Sequence, residues 1–134
     1  MILITKEQLQ QLADNGRRQA AVKGTDAELD LQPVVKIFNP TGAGTWLLTE
    51  IDPDDTDIAW GLCDLGFGCP EFGTVRISEL RTVGGRFGLP LERDRHWQAT
   101  APISAYIEAA DAAGHIVDHV KPSAKKGEDE AGRA

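Results

Sequence analysis

Between Pro33 and Ile77 the chain alternates short β-branched or aromatic runs with clusters of turn formers. That rhythm calls for adjacent antiparallel strands, since turns this short leave no room for a crossover helix. Pro33-Val34-Val35-Lys36-Ile37-Phe38 reads as a strand closed by Asn39-Pro40, with Thr41-Gly42-Ala43-Gly44 as the turn. Trp46 to Ile51 and Ile58 to Cys63 follow, joined by Asp52-Pro53-Asp54-Asp55-Thr56-Asp57. Gly73 to Ile77 makes a short fourth strand. Strict alternation puts Trp46, Leu48 and Glu50 on one face, and groups Ile58, Trp60, Leu62 and Asp64 on another.

Helical patterns flank this region. Residues 5–22 carry Leu9, Leu12 and Ala13 at helical spacing behind Thr5 as N-cap, and Asn15-Gly16 is expected to interrupt the helix. Lys23-Gly24-Thr25-Asp26 is a turn signal. Ser78 to Val83 reads as a brief helix capped by Ser78 and stopped by Gly84-Gly85. Leu89 to Trp97 is expected to be extended. Pro102 opens a final helix that runs to Ala113 and stops at Gly114. The expected fold class is α+β: an antiparallel β-meander of about four to five short strands flanked by an N-terminal and a C-terminal helix. Residues 1–120 form one expected domain, and residues 121–134, without apolar periodicity, an expected disordered polar tail.

Composition narrows the class of protein. A chain of 134 residues with 41% apolar content can bury a core without disulfide or metal. Met1-Ile2-Leu3-Ile4-Thr5-Lys6 is too short an apolar run for a secretion signal, and no run approaches a membrane helix. A cytoplasmic protein is the expectation. Two cysteines are too few for a secreted disulfide framework. The net charge of −7 argues against a nucleic-acid partner, because phosphate binding draws on surplus lysine and arginine.

The charge is unevenly distributed. Between Lys36 and Arg76 there is no lysine or arginine, yet Glu50, Asp52, Asp54, Asp55, Asp57, Asp64 and Glu71 all fall there. Trp46, Trp60, Phe67 and Phe72 are threaded among them. The residues singled out for binding a basic protein surface are therefore Trp46, Glu50, Trp60, Asp64, Phe67, Glu71 and Phe72. Rings beside acids supply an apolar anchor and a steering charge.

Other constellations are weaker. Counted from Asp52 as an EF-hand, position six is Asp57 and position twelve Cys63, where glycine and glutamate are required. Cys63, Cys69, His115 and His119 are zinc-ligand types, but the cysteines stand too far apart for a zinc finger. Gly66-Phe67-Gly68 lacks the lysine of a phosphate-binding loop. No Gly-x-Ser-x-Gly occurs. In Glu92-Arg93-Asp94-Arg95-His96-Trp97, alternation places His96 with Glu92 and Asp94, an acid/base arrangement or a salt-bridged sheet edge. Glu50, Asp64, Glu71, Glu92, Asp94 and His96 are accordingly the catalytic candidates of an alternative reading, a divalent-metal-dependent hydrolase. Arg76, Arg81, Arg86, Arg93 and Arg95 would carry a third reading, DNA binding, or would face the acidic stretch internally or across a dimer.

The order Val35-Lys36-Ile37-Phe38-Asn39-Pro40, Thr45-Trp46-Leu47-Leu48-Thr49-Glu50, Gly61-Leu62-Cys63-Asp64-Leu65-Gly66, Pro70-Glu71-Phe72-Gly73 and Glu92-Arg93-Asp94 resembles a bacterial family, domain of unknown function 2958. The resemblance covers roughly residues 1–117, with Trp97 where phenylalanine is expected and Phe72 where leucine is usual. It implies a small cytoplasmic protein often encoded on plasmids and integrative elements. No reaction or cofactor comes with it, and none is predicted. Among the motif positions, Glu50, Asp64, Glu71, Glu92 and Asp94 are those able to act, with Lys36 and Arg93 as cationic partners. The expected function is a non-catalytic accessory binding protein of a mobile element that engages a basic protein.

Overall fold

The computed structural model describes residues 2–83 and 89–121. Helix α1 (Lys6–Val22) is followed by strands β1 (Val35–Phe38), β2 (Thr45–Ile51), β3 (Ile58–Asp64) and β4 (Glu71–Arg76). Helix α2 (Ile77–Thr82), the two-residue strand β5 (Glu92–Arg93) and helix α3 (Ile103–Ala113) complete the order. All strand pairings are antiparallel, in the order β4-β3-β2-β1-β5. The class is α+β, a four-strand meander extended by β5 and flanked by helices at both ends. The segment from Leu89 to Trp97 is in strand register with β1 at Glu92 and Arg93, and Asp94 N donates to Lys36 O just beyond, so most of the expected extended run is not strand. The expected stop at Gly84-Gly85 and the expected tail beyond Lys121 lie outside the described residues. No helix among the described residues is long and apolar enough to cross a membrane.

The sheet is sandwiched. One face buries Val35, Ile37, Trp46, Leu48, Ile51 and Ala59 against Ile4 and Leu12 from the N-terminal side and Ile77 and Leu80 of α2. The other packs Leu47 and Leu62 on Ile103, Tyr106 and Ala110 of α3, with Trp97 and Ile116 closing the layer. Both faces of β1–β3 are apolar at their centres, which is why these strands read as near-continuous hydrophobic runs.

Helix α1 begins with a capping box, in which Thr5 Oγ1 accepts from Gln8 N and the Gln8 side chain accepts from Thr5 N. It does not break at Asn15-Gly16. Both residues are buried in its middle, where the helix meets β2. A Cβ on Gly16 would lie 1.7 Å from Ile51 O, so glycine is what permits this approach. Asn15 Nδ2 donates to Thr49 O at 2.9 Å. Thr49 is the extra residue of a β-bulge: Leu48 pairs with Gly61 and Glu50 with Trp60. The helix thus satisfies a carbonyl that the bulge removes from regular pairing.

The two later helices are capped from a distance. Asp57, in the β2–β3 turn, accepts Ser78 N and Ser78 Oγ at 2.9 and 2.6 Å, and its carbonyl accepts Ile77 N. Ser78 therefore lies inside α2 and is not its cap; Arg76 occupies the N-cap position without a side-chain bond. Asp30 treats α3 in the same way, accepting from the backbone and hydroxyl of Ser104. At the other end of α3, Gly114 takes φ 81°, a left-handed conformation that glycine adopts without strain.

Candidate functional site

The bulge at Thr49 decides which of the aromatic and acidic residues meet. Trp46 and Leu48 point into the α1 side of the sheet, but one extra residue sends Glu50 to the α3 side, opposite Trp60. The expected common face of Trp46, Leu48 and Glu50 is therefore not formed. Trp46 is a core residue at 8% exposure.

Beyond the reach of α3, its side of the sheet carries a shelf of rings. Trp60 and Phe72 stack with centroids 6.1 Å apart and planes 22° from parallel, as expected of diagonal neighbours on adjacent strands. Lys23, just past the end of α1, holds its Nζ 4.0 Å from the Trp60 ring centroid, a cation–π contact. Glu50 is buried beside it. Desolvation raises its pKa above the ordinary glutamate value, opposed by a hydrogen bond from Thr49 and the charge of Lys23.

The β3–β4 turn extends the apolar surface into solvent. Phe67 is 82% exposed, Leu65 57% and Phe72 41%. The turn is held rather than loose. Gly66 and Gly68 adopt φ of 89° and 85°. Asp64, itself buried, accepts from Gly66 N at 2.8 Å and from Ile116 N at 2.9 Å, tying the turn to the end of α3. Both carboxylate oxygens of Asp64 are thus engaged by backbone, which gives the residue a structural task. Glu71, exposed at the start of β4, is on the opposite face of the sheet, paired with Cys63.

The acids of the lysine-free stretch do not share a surface. Asp52, Asp54, Asp55 and Asp57 occupy the β2–β3 turn, at the other end of β3 from Asp64 and Glu71. Asp52 Oδ1 accepts Asp54 N and Asp55 Oδ1 accepts Asp57 N, both within the turn. Arg76 pairs with Asp55 at 3.4 Å and Asp57 at 3.6 Å. Hydrogen bonds from Ser78, then the nearby Arg76, hold the Asp57 pKa below the usual aspartate value. The arginine-rich stretch thus meets the acidic one at this turn, within one molecule. Arg86 lies outside the described residues.

The catalytic candidates are spread across the sheet. Glu71 is on the β4 edge and Glu92 on the β5 edge, four strand spacings or about 19 Å apart. Glu50 and Asp64 share a face but their partner positions on the strands differ by four residues, roughly 13 Å. Asp94 belongs to another cluster: its carboxylate receives Lys36 Nζ at 3.3 Å and His96 N at 3.0 Å. Desolvation pushes the Asp94 pKa up, and these bonds with the Lys36 charge outweigh it, so the net shift is downward. Lys36, buried at 8% exposure, also pairs with Asp118. His96 is exposed.

Cys63 is half-buried, and its thiol pKa is pushed up to about 11 by burial, with a contribution from Glu71. Cys69, His115 and His119 are exposed. Among the described residues no three histidine, cysteine or acidic side chains gather to hold a metal ion.

Two participants, Lys23 and Leu65, are missing from the binding residues expected from the sequence. Lys23 is brought to Trp60 by the packing of α1 against β2, a contact that no local pattern announces. Leu65 did carry a signal, as a large apolar residue set directly against the Gly66-Phe67-Gly68 turn.

No curated protein and no solved structure matches the chain. The family described as "Protein of unknown function (DUF2958)" matches residues 3–117, nearly the whole of the described fold. The chain belongs to that family, domain of unknown function 2958.

Proposed function

We propose that this protein is a non-catalytic accessory factor of a plasmid or other mobile element. It would engage a basic protein through the β3–β4 hairpin and the Trp60–Phe72 shelf. The observation that carries this reading is the exposure of three large apolar side chains, Leu65, Phe67 and Phe72, on one hairpin. A turn pinned by Asp64 and two left-handed glycines presents them without the entropic cost of ordering a loose loop. Rings of this kind are the usual anchors of protein interfaces.

Charge supports the choice of partner. The net charge of −7 accelerates encounter with a basic surface and repels acidic ones. The seat of Lys23 over Trp60 favours the same chemistry: an ammonium group is stable at this ring, next to Glu50. One form of the proposal is an inhibitor that competes with nucleic acid for a basic groove of a host protein.

Affinity capture at low ionic strength tests it, with the wild-type chain and the Phe67→Ser/Phe72→Ser variant compared on the same extract. The expected result is a basic protein retained by the wild type, released by salt and missing from the variant. Identical retention by the two proteins would refute the assignment.

A further inference from the structure

A second site lies on the opposite edge of the sheet. A cavity of about 600 Å³ opens between the start of α1 and the chain leaving β5, a volume typical of small-molecule sites. Its wall carries Arg93 and Arg95 together with the amide side chains of Gln8, Gln32 and Gln98. Among its described lining residues the one carboxylate is Asp94. That carboxylate is already committed, to the buried Lys36 through one oxygen and to His96 N through the other.

The guanidinium groups are freer. Arg93 donates through Nη1 to Ile2 O, which leaves its remaining N–H groups for other acceptors. Arg95 is exposed, and among the described residues no carboxylate pairs with it. Asp94 is held by Lys36, which it shares with Asp118, and two arginines stand against this one acid in the lining, so the cavity carries more cationic than anionic groups on a molecule of net charge −7. Local field, not net charge, sets what such a concavity concentrates.

We propose that this cavity binds a small molecule through a phosphate or carboxylate group gripped by Arg93 and Arg95, with the glutamine amides orienting the rest. Planar guanidinium forks match both oxyanions in two-point geometry. The site is independent of the ring shelf and does not rest on the protein-binding proposal.

Amide chemical shifts of the full chain, followed during titration with inorganic phosphate, adenosine monophosphate and citrate, provide the test. Saturable shifts centred on Arg93, Arg95 and Gln98 are expected with at least one probe. Saturation by phosphate or the nucleotide identifies a phosphate ligand; saturation by citrate alone identifies a carboxylate. Arg95→Gln should weaken the binding roughly tenfold without changing the melting temperature, because Arg95 is exposed and makes no ion pair or hydrogen bond among the described residues. Arg93→Gln provides a second variant for the other guanidinium. No saturable response to any probe, or an affinity unchanged in Arg95→Gln, would overturn the proposal.

Discussion

Asn15 and Gly16 join the helical layer to the sheet, and their worth is measurable. Asn15→Ala removes the donor to Thr49 O and leaves a buried carbonyl unpaired, which should cost about 1–3 kcal/mol in denaturant unfolding. Gly16→Ala forces a methyl against the Ile51 carbonyl and should cost about 3 kcal/mol or more, despite alanine's better helix propensity. A neutral or stabilising Gly16→Ala would mean the helix does not sit this close. Local signals read the same dipeptide as a helix stop, because asparagine and glycine are poor helix formers. Only the neighbouring strand explains their use here. The cysteines divide on exposure. An aromatic disulfide reagent at neutral pH should label Cys69 at once and Cys63 only on unfolding or at strongly alkaline pH, given a thiol raised to about 11. Equal rates for both would contradict the burial of Cys63.

At the scale of elements, Glu50 on β2 and Asp57 in the next turn make opposite contributions to stability against pH. The folded-state pKa of Glu50 is raised above 4.5, so ionisation disfavours the fold as pH climbs through that value. Glu50→Gln should therefore gain stability relative to the wild type between mildly acidic and neutral pH, and show no gain in acid. Asp57 is lowered below 3.8, so its contribution is present above that value and lost as pH falls through the depressed one. Asp57→Asn should lose stability at neutral pH, with the deficit closing in strong acid. Melting curves from about pH 2 to about pH 7, which bracket the ordinary carboxylate values near 4 and the depressed one, would expose a wrong sign in either case.

Strands and helices were largely legible, because apolar runs and glycine or proline punctuation are local. Two kinds of feature were not. A bulge inserts one residue without any mark in composition, so the face of Glu50 came out wrong after Thr49. The caps of α2 and α3 come from Asp57 and Asp30, 21 and 74 residues away, beyond any local motif.

Over the whole molecule, the acidic stretch that dominates the sequence becomes two separate features at the two ends of β3. One end holds the Asp52–Asp57 turn, satisfied by its own backbone and by Arg76. The other presents Phe67 and Phe72 beside the pinned Asp64. Linear clustering of charge thus announced an electrostatic character for the protein, but folding assigned the apolar contact surface to one end only. A partner that reads rings should protect that end, whereas one that reads bare acid would choose the other. Hydrogen exchange on the chain, alone and with a captured partner, separates these outcomes. Slowed exchange confined to residues 65–76 is the predicted result; slowing at 52–57 without change in the hairpin would contradict the account.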